Sequence, residues 1–204
     1  MTVTDSLAFD PDWLARCRAC SNCGLASTRQ QVVVSRGNPQ ARVMVIGEAP
    51  GASEDKQGHP FVGRSGRLLD QLLQLAGLNP AADVLFSNVV KCRPPNNRKP
   101  TANELKACRP WIDDQIDRID PAVVILVGAT AVAAMVQRKQ PMRGLRGQWI
   151  RQDARLWMPI FHPSYLLRNP SREPGKPVSL TVADLRQVQE WLCQCEPASN
   201  APLP

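Results

Sequence analysis

The chain has 204 residues, of which 43% are hydrophobic and 21% charged, which indicates a folded protein with one core and excludes an intrinsically disordered one. A formal charge of +7 favours polyanionic partners, nucleic acid above all. The apolar runs are too short to cross a bilayer and no signal-peptide pattern is present, so we expect a cytoplasmic protein with no membrane partner. In that reducing compartment, the seven cysteines indicate metal or cluster ligation in preference to disulfides.

The predicted elements begin with a short amphipathic stretch at Pro11–Arg16, directly before the cysteine-rich segment Cys17–Cys23. Apolar, β-branched runs then predict four buried strands, at Arg42–Ile46, Val84–Val90, Ala122–Val127 and Leu156–Phe161. Apolar residues at helical spacing predict helices at Arg64–Ala76, Ala102–Ile119, Ala129–Val136 and Thr181–Cys195. This alternation predicts an α/β fold of three layers, α/β/α, with a central, mostly parallel, four-stranded sheet.

The domain organisation is expected to be simple. Residues 1–195 are predicted to form a single domain that includes the cysteine-rich region, and residues 196–204 a disordered tail. In an open parallel sheet, binding sites collect beyond the carboxyl ends of the strands. The segments in that position are Gly47–Gly51, Asn88, Gly128 and His162–Ser164.

The cysteines form a C-x2-C pair, a long gap and then a C-x15-C pair, made of Cys20, Cys23, Cys92 and Cys108. Four thiolates from separate segments could hold tetrahedral zinc or a [4Fe–4S] cluster. Ordinary buried thiols are the alternative. Cys17 competes with Cys20 for the first position, because Cys17-Arg-Ala-Cys20 is also a C-x2-C pair.

A set of motifs follows the same order along the chain. They are CSNCGLASTR at 20–29, RGNP at 36–39, GEAPG at 47–51 followed by Glu54-Asp55, HPFVG at 59–63, NVVKCRPP at 88–95, Cys108 and HPSYLLRNPSR at 162–172. This set, spanning about residues 17–192, resembles the family 4, iron–sulfur uracil-DNA glycosylases. The resemblance implies an enzyme of base excision repair that flips uracil from DNA and hydrolyses its N-glycosidic bond, which leaves an abasic site.

The resemblance also implies a structural [4Fe–4S] cluster placed away from the chemistry. Its ligands would be Cys20, Cys23, Cys92 and Cys108. Cys20 is preferred to Cys17 because its distance from Thr28-Arg29 fits the family spacing. The resemblance implies uracil-containing DNA, single- or double-stranded, as the partner, and we expect a monomer, associated with the nucleoid in a prokaryote.

Three side chains are predicted to contact the base. Breaking the glycosidic bond places negative charge on the departing uracil, so a donor such as His162 stabilises the transition state at O2. The Asn88 amide can accept from N3–H and donate to O4, which distinguishes uracil from cytosine. Phe61 would stack on the flipped base. The alternatives are a structural histidine, an asparagine that satisfies backbone groups and a core phenylalanine.

Four more residues complete the predicted substrate site. Glu48 is the candidate for orienting water or stabilising the sugar cation. Ala49 stands where better-known uracil glycosylases have an aspartate that activates water. The identity of the residue that acts as the general base is therefore in doubt. Glu54 resembles the residue that shields the C5 edge of uracil, with a solvated carboxylate as the alternative, and Asn97 is predicted to contact substrate.

DNA binding is assigned to the segment that follows His162, the predicted catalytic histidine. Apolar residues there can wedge between base steps while basic ones hold phosphates. The predicted contacts are Ser164, Leu166, Leu167, Arg168 and Arg172, and a packed turn with a basic rim is the alternative. Arg93, Arg98 and Lys99 suggest a second phosphate-binding surface beside the cysteines.

Three other functions compete with this hypothesis. A glycosylase branch that attaches covalently to DNA uses a histidine in an inserted basic loop, and the segment after Cys92 has neither the histidine nor the insert. A non-catalytic iron–sulfur or zinc DNA-binding protein would leave His162 and Asn88 without a purpose. A small-molecule α/β enzyme is disfavoured because no phosphate-cradling glycine motif is present.

Overall fold

The structure is a computed structural model that describes residues 9–138 and 140–195. The tail predicted at 196–204 lies outside these residues. The helices are α1 (Pro11–Arg18), α2 (Ala52–Gln57), α3 (Arg64–Leu75), α4 (Ala102–Ile119), α5 (Ala129–Val136), α6 (Met142–Leu145), α7 (Pro163–Arg168) and α8 (Pro177–Gln194). The strands are β1 (Arg36–Gly37), β2 (Val43–Gly47), β3 (Val84–Asn88), β4 (Val123–Val127), β5 (Ile150–Gln152) and β6 (Arg155–Ile160). Short 3₁₀ turns occupy Gly24–Ser27 and Pro95–Asn97.

The sheet has six strands in the order β1-β3-β2-β4-β6-β5. Its centre consists of the four predicted strands, all parallel to one another. The predicted number of four is wrong, because the antiparallel strands β1 and β5 extend the sheet at its two edges. These strands are two and three residues long and partly exposed, so neither carries the apolar run by which the others were predicted.

Helices cover both faces of the sheet, which confirms the three-layer α/β/α fold. On one face, Val45, Phe86 and Ile125 pack against apolar residues of α3 and α8. On the other face, alternate residues of the same strands, such as Ile46 and Leu126, pack against α4 and α5. Because the central strands are buried on both faces, their sequences are apolar without alternation.

Several predicted boundaries shift. β3 ends at Asn88 rather than at Val90, and α8 begins at Pro177 rather than at Thr181. α7 was not predicted as a helix; it is six residues long and begins directly after His162. Within the described residues, no helix is long and apolar enough to cross a membrane.

Candidate active site and cysteine pocket

A cavity of about 630 Å³ lies beyond the carboxyl ends of the parallel strands, and we call it the strand-end cavity. Residues that follow all four central strands line it. The predicted site residues among them are Glu48, Ala49, Glu54, Phe61, Asn88, Asn97, His162, Ser164 and Arg168. The fold therefore brings together side chains that are more than 100 positions apart in the sequence.

His162 is the N-cap of α7 and is half-buried at the cavity. Its Nδ1 accepts a hydrogen bond from the main-chain N–H of Ser164 at 3.1 Å and lies 2.8 Å from Ser164 Oγ. Burial lowers the pKa of His162 below its ordinary value of 6.5, and the nearby Arg168 charge lowers it further while Glu48 raises it. At neutral pH the ring is therefore neutral with its proton on Nε2, a hydrogen-bond donor.

Asn88 ends β3 and is 3% exposed. Its Nδ2 is buried and has no hydrogen-bond partner in the described structure. The neighbouring strand residue is Gly47, and a Cβ there would lie 2.5 Å from Asn88 Oδ1, so only glycine leaves room for the amide. A buried donor without a partner costs free energy, and a ligand acceptor in the cavity would remove that cost.

Phe61 lies against the wall of the strand-end cavity with its ring 5.7 Å from that of Phe86. Its backbone is left-handed, with φ of 56°. This conformation is strained for a bulky residue and is found mostly where the surroundings impose it. The carbonyl of Phe61 lies so close to Gly66 that a Cβ there would approach within 1.8 Å, which shows how tightly the turn is packed on α3.

The GEAPG loop carries Glu48 and Ala49 past the cavity. The main-chain O of Glu48 accepts from Val90 N at 3.0 Å, which extends the pairing of β2 with the chain after β3. Both residues are half-buried and line the cavity. Ala49 also packs against the apolar cluster that includes Cys92 and Cys108.

Glu54 has a structural task that the sequence did not reveal. Its Oε1 accepts from Gly63 N at 2.7 Å and its Oε2 from Gly51 N at 3.1 Å. The carboxylate thus joins the GEAPG loop to the turn that carries Phe61, and it does so at the wall of the cavity. Glu54 is therefore not a freely solvated carboxylate, the alternative that the sequence allows.

The loop from Pro94 to Lys99 borders the cavity from the side of the cysteines. Asn97 is exposed, has φ of 55°, and its Oδ1 accepts from Arg93 Nε at 2.7 Å. Arg98 forms two hydrogen bonds with Glu104, of 2.8 and 2.6 Å. These bonds lower the pKa of Glu104 to about 2. The loop is therefore held against the start of α4 by an ion pair.

The predicted DNA segment forms α7 and its exit. Arg168 and Arg172 are exposed, and Ser164 and Leu167 are half-buried. The prediction for Leu166 is wrong, because this residue is 0% exposed and packs in the core under the sheet face that carries α3 and α8. Adjacent residues of a helix point about 100° apart, so Leu167 is half-buried although Leu166 is buried.

A second pocket, which we call the cysteine pocket, is lined by Cys20, Cys23, Cys92 and Cys108, and also by Cys17. N–H groups point at three of the sulfurs: Trp111 Nε1 at Cys20 Sγ (3.3 Å), Lys91 N at Cys108 Sγ (3.2 Å) and Arg29 Nη1 at Cys92 Sγ (3.5 Å). Within the described residues, no group of three or more His, Cys, Asp or Glu side chains is placed to hold a single metal ion.

Cys17 differs from Cys20 in its surroundings. Cys17 is 0% exposed and packs with Phe9, Trp13 and Leu14, and burial raises its pKa to about 12. Cys20 is half-buried and receives the Trp111 hydrogen bond. The donor directed at its sulfur favours Cys20 as the ligand and a packing role for Cys17.

Lys91 is the residue that sequence reasoning missed. It is 1% exposed, and burial lowers its pKa to about 8. The signal was present in the sequence, since this lysine sits between Val90 and Cys92 within an otherwise apolar run. Two of its acceptors, Asn88 and Ser87, lie three and four positions earlier in the chain, whereas the third, Gln115, lies 24 positions later on α4 and could not be predicted.

The family model of the uracil DNA glycosylase superfamily matches residues 34–186, and the chain belongs to that superfamily. A type-4 uracil-DNA glycosylase of Thermotoga maritima is 46% identical over 181 residues, 87% of this chain and 91% of the relative. Another, of Sulfurisphaera tokodaii, is 38% identical over 162 residues, 75% of this chain and 73% of the relative. A type-5 uracil-DNA glycosylase of Thermus thermophilus is 32% identical and covers 60% of this chain and 68% of that relative. Within the superfamily, the chain is a member of the type-4 group, as the motifs predicted.

Proposed function

We propose that this chain binds uracil flipped out of DNA and hydrolyses its N-glycosidic bond, leaving an abasic site for base excision repair. The observation that carries the proposal is the pairing, in one cavity, of a neutral histidine donor with a buried asparagine N–H that has no partner. The names of the type-4 relatives support the same activity.

His162 acts at uracil O2. Bond cleavage leaves the electron pair of the C1′–N1 bond on the base, so negative charge develops on the uracil oxygens. An Nε2–H that is already oriented by the Ser164 hydrogen bonds donates to that charge without reorganisation, which is the condition for a large rate effect. The imidazole serves as a neutral electrophile and needs no metal in this step.

Asn88 and Phe61 select and hold the base. The free Nδ2–H of Asn88 matches the O4 acceptor of uracil, while cytosine would present an amino group there and leave two donors facing each other. The Phe61 ring offers an apolar face to the extruded pyrimidine. Both side chains are buried in the absence of substrate, and such preorganisation lowers the entropy cost of binding.

Glu48 faces the sugar. The Glu48 charge raises the pKa of His162, and this proximity to the proposed donor supports a role for the carboxylate in the reaction. Glu48 stabilises the deoxyribose cation and orients the attacking water, since Ala49 offers no side chain for that task. Glu54 fixes the loop at the C5 side of the base, and Asn97 contacts substrate from the loop between Pro94 and Lys99.

The DNA strand contacts α7 and its exit. Ser164, Arg168 and Arg172 bind phosphates, and Leu167 enters the space left by the flipped nucleotide. Arg93 and Lys99 add a second basic surface, whereas Arg98 is engaged with Glu104. The substrate is uracil in single- or double-stranded DNA, and the enzyme acts as a monomer in the cytoplasm, on nucleoid DNA in a prokaryote.

The cysteine pocket holds a [4Fe–4S] cluster through Cys20, Cys23, Cys92 and Cys108. Two features support the fit. N–H donors already point at the sulfurs, which is how proteins tune such clusters. The thiols share a pocket without converging on one point, which suits a cluster that takes one thiolate per iron better than a single zinc ion. When bound, the cluster supplies a structural cross-link between three segments of the chain.

A base-release assay tests the proposal. Purified protein is incubated with single- and double-stranded oligonucleotides that carry one uracil, and abasic sites are cleaved with alkali. Cleavage at the uracil, absent from an otherwise identical thymine or cytosine strand, is expected. Intact strands with both substrates would refute the activity. A brown protein that binds DNA without releasing uracil would favour the non-catalytic alternative, and stoichiometric zinc would overturn the cluster.

A further inference from the structure

Lys91 carries a buried ammonium group that donates a hydrogen bond to the main chain of Asn88, the residue that we propose recognises the base. Its Nζ donates to the main-chain O of Asn88 at 2.7 Å, to Ser87 Oγ at 2.7 Å and to Gln115 Oε1. Three donors thus meet three neutral oxygens. Lysine is almost never buried this completely without a specific task, because desolvation of the charge is costly.

The acceptors are themselves held in place. Ser87 Oγ and Gln115 Nε2 lie 2.9 and 3.2 Å from the main-chain O of Val34, and both residues are 0% exposed. The network therefore joins β3, α4 and the segment before β1. A buried network in which every member is satisfied is rigid, since any movement leaves a polar group unpaired.

The rigid network fixes the point at which the chain leaves the sheet. Beyond Asn88 the peptide turns away, and its amides are bonded to the neighbouring loop, Val89 N to Gly47 O at 2.9 Å and Val90 N to Glu48 O at 3.0 Å. Lys91 holds the opposite group, the Asn88 carbonyl. With donors and acceptors of this turn both engaged, rotation of the Asn88 backbone is blocked.

We propose that Lys91 is a positioning residue for uracil recognition, whose ammonium locks the Asn88 backbone so that the free Nδ2–H of that residue faces the strand-end cavity. The inference rests on the proposed role of Asn88. Lys91 touches neither substrate nor solvent in this arrangement, so its effect on the base passes through Asn88 alone.

The test is a double-mutant cycle on the affinity for free uracil, measured at pH 7 as product inhibition. The variants are Lys91→Met, Asn88→Ala and the combination, with Lys106→Met, an exposed lysine of α4, as the matched control. Loss of one well-placed hydrogen bond predicts about tenfold weaker uracil inhibition for Lys91→Met. In the Asn88→Ala background the same change should add less than about twofold.

Affinity for an abasic oligonucleotide and the iron content per chain are measured alongside. Both are expected to be unchanged in Lys91→Met, because the phosphate contacts and cysteines are intact. Ser87→Ala, which keeps the charge but removes one of its anchors, should weaken uracil inhibition by a few-fold. It serves as the test if Lys91→Met does not fold.

Distinct outcomes overturn distinct statements. Unchanged uracil inhibition in Lys91→Met and Ser87→Ala, with a clear loss in Asn88→Ala, overturns the role of Lys91 and leaves that of Asn88. Losses that multiply in the double variant, or that track a loss of iron, show that Lys91 acts elsewhere and also overturn it. Unchanged inhibition in Asn88→Ala overturns both assignments.

Discussion

The strand-end cavity and the cysteine pocket flank the same short stretch of chain, Asn88 to Cys92. They differ in whether the N–H donors that face them have hydrogen-bond partners. In the strand-end cavity, Asn88 Nδ2 is buried and has no partner in the described structure. In the cysteine pocket, the nearby N–H groups of Lys91 and Trp111 point at sulfur atoms. The unpartnered buried donor supports the proposal of a transient ligand in the strand-end cavity, whereas donors directed at sulfur support the proposal of a permanently bound group in the cysteine pocket.

The largest expected effect separates the two regions most clearly. His162→Ala removes the proposed donor to uracil O2 and should lower the single-turnover rate of base release by about 10²- to 10³-fold. Affinity for an abasic oligonucleotide and the iron content should stay at wild-type values, because neither depends on the imidazole. A rate loss smaller than about tenfold would remove His162 from the chemistry.

Glu54→Gln tests whether the strand-end cavity depends on the two hydrogen bonds that the Glu54 carboxylate accepts from main-chain N–H groups. An amide can accept at only one of the positions now used, so one main-chain N–H, of Gly51 or Gly63, loses its acceptor and faces an NH2 group. Both N–H groups lose the charge of their partner and one loses its acceptor, so we expect base release to fall about tenfold and the melting temperature to fall as well. Glu190→Gln, an exposed carboxylate of α8, is the control and should change neither.

The cysteine pocket has its own matched pair. Cys20→Ser should yield protein with markedly less iron and a weaker visible absorbance, whereas Cys17→Ser should keep both and lose only packing in the cluster around Trp13. Iron analysis of the two purified variants decides between them. Iron lost from Cys17→Ser and kept in Cys20→Ser would exchange their roles.

The smallest effect is a shift in titration. His162 has a pKa below 6.5, so the neutral form present at pH 7 gives way to the cation only as pH falls through that lowered value. Protonation of Nδ1 removes the acceptor for Ser164 N, so base release should fall over the same pH range. Because the folded pKa is depressed, the associated stability is present above pH 6.5 and is lost as pH falls through the folded pKa.

NMR can follow this titration directly, because the chain has only two histidines. Arg168→Ala removes a positive charge that lowers the His162 pKa, so the ring should titrate at higher pH in that variant. His59→Gln assigns the second signal. A downward shift in Arg168→Ala would contradict the arrangement of charges at the cavity.

The sequence predicted the parts of the fold that follow from apolar patterning. The four parallel strands, buried on both faces, carry long apolar runs, and the helix over Ala102–Ile119 agrees with the structure at both ends. The seven residues that the motifs predicted as catalytic or substrate-contacting all line one cavity, together with Ser164 and Arg168. The edge strands β1 and β5 were not predicted because neither contains an apolar run.

Other details depend on contacts between distant segments. Nothing local distinguishes Leu166 from Leu167, and the burial of Leu166 follows from how α7 docks on the core. The bonds of Lys91 to Gln115, and of Glu54 to Gly63, exist only once the chain is folded. Hydrogen-bond networks of this kind are set by tertiary packing rather than by pattern.

The two antiparallel edge strands have a consequence for how copies of this protein meet. β1 and β5 present only two and three residues, too few main-chain groups to template a further strand. A parallel sheet with long, exposed, apolar edge strands would allow strands of other chains to pair with it during synthesis or heating. In this protein the two edges of the sheet are the short, partly polar strands β1 and β5, which disfavours aggregation by edge-to-edge strand pairing.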